Sequence, residues 1–181
     1  MRSVAELSDE ELDLVAEAWQ RRAADVPGYV HALVNEGREA GASLPHSHSQ
    51  LAWFAEPPPA VAEENGELGV GEVVLERDSL VLGCPLASRL PYEFVVAPLT
   101  DEPDGLTSEL LAPALHLLAE GIRRLRRLEG PVPWNAWLHP GRRWHLEVVP
   151  RLTVLAGLEL GAGIYVNSLP PEEAAAALRE A

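Results

Sequence analysis

The chain states one pattern twice, and that repetition limits the folds open to it. Ser8-Asp9-Glu10-Glu11 is a capping box, a Ser followed three residues later by Glu, and Leu12, Val15, Ala16 and Trp19 then recur at helical spacing. Pro27-Gly28 breaks the helix. A strand-like run from Tyr29 to Asn35, a turn at Glu36-Gly37-Arg38 and a second strand from His46 to Phe54 follow. The same order returns later. Thr107 opens a helix with an apolar stripe of Leu111, Leu115, Leu118, Ile122 and Leu125, and Gly130-Pro131 stops it. Strands at Trp134–Leu138 and Trp144–Val149 then flank a turn at His139-Pro140-Gly141. The two units, Ser8 to His48 and Thr107 to His145, are nearly equal in length, and each ends on a strand bearing a histidine.

Two copies of a helix-plus-hairpin unit imply an α+β fold of two related halves, each an antiparallel sheet with a packed helix. The spacing places the first half at 1–59, an acidic, Gly-containing linker at 60–71 and the second half at 72–181, ending in a short helix from Pro170 to Ala181. Extra strands at Val73–Leu75, Leu80–Leu82 and Phe94–Ala97 precede the second helix, and nothing comparable precedes the first. The first half is therefore expected to be incomplete and to expose a strand edge.

Composition narrows the function. At 47% hydrophobic the chain can bury a core, and a formal charge of −14 argues against a nucleic-acid or anionic-membrane partner. A small phosphate remains possible, because backbone N–H groups with a few Arg and His can hold one. One cysteine, Cys84, allows neither an internal disulfide nor a cysteine-cluster zinc site. No apolar run is long enough to span a membrane, and the first residues lack the apolar core of a signal peptide, so a cytoplasmic protein is expected.

The chemistry concentrates in Gly41-Ala42-Ser43-Leu44-Pro45-His46-Ser47-His48-Ser49-Gln50. Residues two apart on a strand share a face, so His46, His48 and Gln50 would line one side. A neutral imidazole can attack phosphorus once its other nitrogen is tied to an acceptor, and a carboxamide can donate to phosphoryl oxygens. The plainer reading is a polar edge strand with solvated histidines. A second group is His139, His145 and Glu147, whose imidazole and carboxylate donors suit zinc or iron; the plainer reading pairs Glu147 with Arg142 or Arg151. Asn35 either makes an Asx turn or meets a ribose or phosphate. Glu159, within a glycine-rich stretch, either holds sugar hydroxyls or is solvated. Arg123, Arg124, Arg126 and Arg127 read as a solvated helix end, where cations suit the helix dipole.

The run from Asn35-Glu36-Gly37 through Gly41 to Gln50 resembles the active-site segment of the galactose-1-phosphate uridylyltransferase family, a branch of the histidine-triad superfamily. Trp144-His145-Leu146-Glu147-Val148-Val149-Pro150-Arg151-Leu152, with Gly157-Leu158-Glu159, resembles the C-terminal half of the same family, and the resemblance runs from about Ala5 to the C-terminus. It implies a histidine-triad-like fold and a nucleotidyltransferase that exchanges UDP-glucose with a hexose 1-phosphate. His48 would be the nucleophile of a covalent nucleotidyl-histidine, with Gln50 on its phosphoryl group. Gln50 stands where histidine-triad hydrolases carry a third histidine, which points to transfer over hydrolysis. Asn35, Gly41 and Ser43 match nucleotide-contacting positions. Glu159 matches a hexose contact often supplied across a homodimer. His46 matches a position that ligates zinc in some members, but this chain lacks the cysteine pair that would share that metal. His139, His145 and Glu147 fall near a second metal position, with Glu147 standing where a histidine is usual; zinc or iron is the implied metal, and no organic cofactor is. Family members are longer at the N-terminus. Two alternatives follow: an adenylyltransferase of the ADP-glucose or dinucleoside-polyphosphate phosphorylase type, and a truncated, inactive nucleotide-binding remnant.

Overall fold

The structure, a computed structural model, describes residues 3–62 and 69–181. Its elements are α1 (Asp9–Ala23), β1 (Tyr29–Glu36), β2 (Ser49–Phe54), a single turn α2 (Pro59–Ala62), β3 (Glu72–Arg77), β4 (Leu80–Cys84), β5 (Phe94–Pro98), α3 (Leu111–Glu129), β6 (Trp134–His139), β7 (His145–Pro150), α4 (Gly157–Ala162) and α5 (Pro171–Glu180). The strands form one antiparallel sheet of seven in the order β2-β1-β6-β7-β5-β4-β3. The two helix-plus-hairpin units thus meet edge to edge at the β1–β6 pair and share a single sheet. The predicted linker lies partly outside the described residues, which omit 63–68.

Alternation along the strands divides the sheet into two faces. Ala32 and Val34 of β1, Trp134, Ala136 and Leu138 of β6, Leu146 and Val148 of β7, Phe94 and Val96 of β5 and Leu80 and Leu82 of β4 share one face, in one hydrophobic core with the apolar stripe of α3. Leu12, Ala16 and Trp19 of α1 and Ala174, Ala175 and Leu178 of α5 complete that core. The opposite face carries His31, Leu33 and Asn35, then Asn135, Trp137 and His139, then His145, Glu147 and Val149.

The Ser8–Glu11 capping box forms as the sequence predicts. Three boundaries differ. The second strand begins at Ser49, so His46 and His48 precede it and do not lie along a strand face. The long helix begins at Leu111, because Asp104, Thr107 and Ser108 fold a turn of their own: Leu106 N–H donates to Asp104 Oδ1 at 2.9 Å and Leu110 N–H to Ser108 Oγ at 2.9 Å. His139 belongs to the last position of β6, opposite His145, and not to a turn. The arginines at the end of α3 are not simply solvated. Arg123 donates to the carbonyls of Ala5 and Leu7, both at 2.9 Å, and Arg124 to that of Leu178 at 2.8 Å, so they bind both ends of the described chain to the helix.

Candidate functional site

The histidine motif sits on a loop built by glycine. Gly37 has φ +90°, and a Cβ there would lie 2.7 Å from Cβ of Pro133, so no side chain fits. Its carbonyl accepts from the N–H groups of Ala40 and Ala42, each at 3.1 Å, folding the short 3-10 turn Arg38–Ala40. The loop then runs to Ser47, which is tied down. Glu36, at the end of β1, takes hydrogen bonds from Ser3 Oγ, from Ser47 Oγ and from Val4 N–H at 3.1 Å, and Val4 N–H also meets Ser47 Oγ at 3.0 Å. The residue between the two histidines is therefore anchored to the N-terminal segment.

His48 Nδ1 donates to the His46 carbonyl at 3.1 Å. That bond fixes the tautomer and leaves the Nε2 lone pair directed away from the backbone. The His46 and His48 rings lie 6.1 Å apart. Gln50, opposite Leu33 on β1, is exposed on the face away from the helices. Asn35 makes a side-chain bridge across the β1–β6 seam: Asn135 Nδ2 donates to Asn35 Oδ1 at 2.6 Å and to the Ala40 carbonyl at 2.8 Å. Ser43 and His46 border a cavity of about 650 Å³ that reaches Arg126 and Pro133. Gly41, with φ +83°, closes the 3-10 turn. Glu159 accepts the Ala156 N–H at 2.9 Å and so caps the start of its own helix, which the glycine-rich sequence had concealed.

His139 and His145 stack face to face, with ring centroids 5.2 Å apart and planes 4° from parallel. Burial, then the neighbouring His139, lowers the His145 pKa to about 4, and its Nε2 is buried with no hydrogen-bond partner. Burial also lowers that of His31. Glu147 is ion-paired with Arg89; Arg89 also holds Glu93 at 3.0 Å and stands 5.9 Å from the Trp137 ring and 5.8 Å from that of Tyr165. Stacked imidazoles direct their lone pairs in parallel planes, and the carboxylate is engaged by a guanidinium. His139, His145 and Glu147 therefore do not fit a zinc or iron ion as one donor set, and among the described residues no three His, Cys, Asp or Glu side chains do.

Arg89 and Asn135 escaped sequence reasoning, as did the pairing of Arg151 with Asn135 and of Glu36 with Ser47. Only strand register brings these partners together, and sequence proximity marks none of the pairings.

No family model matches the chain. It is 29% identical over 188 residues to an ADP-glucose phosphorylase from Arabidopsis thaliana, an alignment taking in 86% of this chain and 53% of the relative. It is 25% identical over 213 residues to a galactose-1-phosphate uridylyltransferase from Thermotoga maritima, covering 94% of this chain and 67% of the relative. The crystal structure of an ADP-glucose phosphorylase from Arabidopsis thaliana with bound ADP-glucose superposes with a TM-score of 0.88 at 23% identity, over 99% of this chain and 68% of that one. That likeness shows a shared α+β fold. The chain spans about half the length of the Arabidopsis relative. Among the described residues no helix is long and apolar enough to cross a membrane.

Proposed function

We propose that this chain is a member of the galactose-1-phosphate uridylyltransferase family, to one of which it is 25% identical, and that it transfers a nucleotidyl group from a nucleotide sugar to a sugar 1-phosphate through His48. The observation that carries the reading is the 3.1 Å bond from His48 Nδ1 to the His46 carbonyl. It holds the imidazole as the tautomer whose Nε2 is the nucleophile. In the forward half-reaction Nε2 bonds to the α-phosphorus of UDP-glucose. The bond from that phosphorus to the bridging oxygen breaks, and its electron pair leaves on glucose 1-phosphate. A second hexose 1-phosphate then attacks the same phosphorus and returns the imidazole to its neutral form. Gln50 would donate its amide N–H to a phosphoryl oxygen throughout, and Asn35, Gly41 and Ser43 would line the nucleotide.

The Arabidopsis relative supports a second reading, in which the donor is ADP-glucose and inorganic phosphate is the acceptor. A homodimer in which Glu159 reaches the partner's hexose is supported by the exposed Val154, Leu158, Leu160, Ile164 and Val166 around α4; light scattering tests it. The chemistry is tested with UDP-glucose and ADP-glucose labelled at the α-phosphorus. Acid-labile label on wild type and none on His48→Ala supports transfer through His48, and the better donor decides the base. Absence of label, with no sugar nucleotide raising the melting temperature, refutes both readings in favour of an inactive remnant.

A further inference from the structure

The second phosphate of the donor also needs a partner, and one guanidinium near the histidine loop has donors to spare. Arg151 follows β7, and its backbone N–H donates to the Pro133 carbonyl at 2.8 Å. By alternation from Glu147 and Val149 its side chain leaves on the face that carries Asn35 and Asn135. There Arg151 Nη1 reaches Asn135 Oδ1 at 3.5 Å, while Arg151 Nε is buried with no hydrogen-bond partner. Among the described residues no carboxylate pairs with it, whereas Arg89 and Arg124 both have one. Asn135 in turn bonds Asn35 at 2.6 Å. Asn35 lies one position beyond the Val34–Ser49 pair, beside His48. The amide bridge thus runs from the guanidinium to the strand next to the histidine.

His48 precedes β2 and Arg151 follows β7, and those strands are three spacings apart, roughly 14 Å. An imidazole from one side and a guanidinium from the other narrow that gap to what a pyrophosphate can span. A planar guanidinium with unused N–H donors is suited to a phosphate monoester, which it binds through two parallel hydrogen bonds.

We propose that Arg151 binds the sugar-linked phosphate of a nucleoside diphosphate sugar and stabilises it as the leaving group when His48 takes the nucleotidyl unit. The proposal rests on the nucleotidyl-transfer reading. As the bond between the α-phosphorus and the bridging oxygen breaks, charge gathers on the departing sugar 1-phosphate, and the Arg151 donors strengthen their hold on it. Arg151 then acts on donors with a second phosphate and on no others.

The test compares two donors in single-turnover labelling of His48: UDP-glucose, and uridine 5′-phosphorimidazolate, which has one phosphate and an imidazole leaving group. Arg151→Gln is expected to slow labelling from UDP-glucose about 100-fold and to leave labelling from the phosphorimidazolate at the wild-type rate. Arg151→Lys, which keeps the charge and loses the paired donors, is expected to fall between. Equal loss with both donors in Arg151→Gln and Arg151→Lys overturns the proposal, as does no loss with either. Wild type that labels with neither donor overturns the transfer reading itself, a result distinct from both.

Discussion

Removing the Glu36 carboxylate tests whether the histidine loop is held in place by the N-terminal segment. In Glu36→Ala, Ser3 Oγ, Val4 N–H and Ser47 Oγ all lose their acceptor. A hydrogen bond to a charged group contributes about 1.5–3 kcal/mol, so three at the lower end sum to about 4.5 kcal/mol. The two hydroxyls can turn to water and Val4 N–H keeps its bond to Ser47 Oγ at 3.0 Å, which brings the expected cost to about 2–3 kcal/mol. For a chain of this size that corresponds to a fall in melting temperature of roughly 4–12 °C. Calorimetry measures it, and amide exchange locates it: Val4 and residues 41–48 should lose protection before the core strands do. Glu36→Gln keeps one acceptor oxygen and should lose about half as much. A Glu36→Ala protein that melts within about 1 °C of wild type, with unchanged exchange at Val4, would show that the loop is held by its glycines and by Pro133 instead.

Three further outcomes follow from the structure. The His145 pKa is lowered from 6.5 to about 4 by burial and then by His139, so the unfolded chain takes up a proton on this residue at a higher pH than the folded chain. Stability is whole above pH 6.5 and falls as the pH drops to 4, by about 3 kcal/mol in the limit; urea midpoints at pH 7 and 4.5 should differ less in His145→Asn than in wild type, and equal slopes would contradict this. Replacing Arg89 by Met withdraws the guanidinium from two carboxylates that are 1% and 5% exposed, at a cost of about 3–5 kcal/mol by urea unfolding, and a loss under about 1 kcal/mol would contradict this. Burial raises the Cys84 thiol to about 12, so iodoacetamide at pH 8 should leave the native protein unmodified and react once it is unfolded.

What the sequence revealed was what local chemistry decides. The α1 capping box, the α3 stripe and the stop at Gly130 are settled within a few residues, and each forms where the pattern places it. The errors arise where a side chain competes with the backbone. Ser47 is drawn to Glu36 and delays β2, and the Asp104 turn delays α3. Helix α4 was hidden because Gly157 and Gly161 argue against a helix that Glu159 nonetheless caps. The histidine motif was legible because its residues are contiguous. The Arg89–Glu147 pair, 58 positions apart, and the Arg151–Asn135 contact, 16 apart, exist only once β6, β7 and the β1 seam are in register.

The sheet also explains why two similar units place a histidine in the same position to such different effect. Hairpins β1–β2 and β6–β7 lie back to back across the β1–β6 pair, and the second strand of each starts at Ser49 or His145. Strand β7 has β5 on its outer side, whereas β2 is an edge of the sheet among the described residues. In the interior position the imidazole is 6% exposed and its pKa falls to about 4. It is held neutral against a stacked neighbour, with nothing in reach of its Nε2. At the edge His48 stays partly exposed, and its tautomer is set by a carbonyl two residues earlier on its own loop. An imidazole must be both neutral and reachable to attack phosphorus. Interior burial keeps the His145 imidazole out of a ligand's reach, whereas the edge position leaves His48 reachable with its Nδ1 tied to a carbonyl. The difference between a core histidine and a candidate nucleophile is thus made by one additional strand.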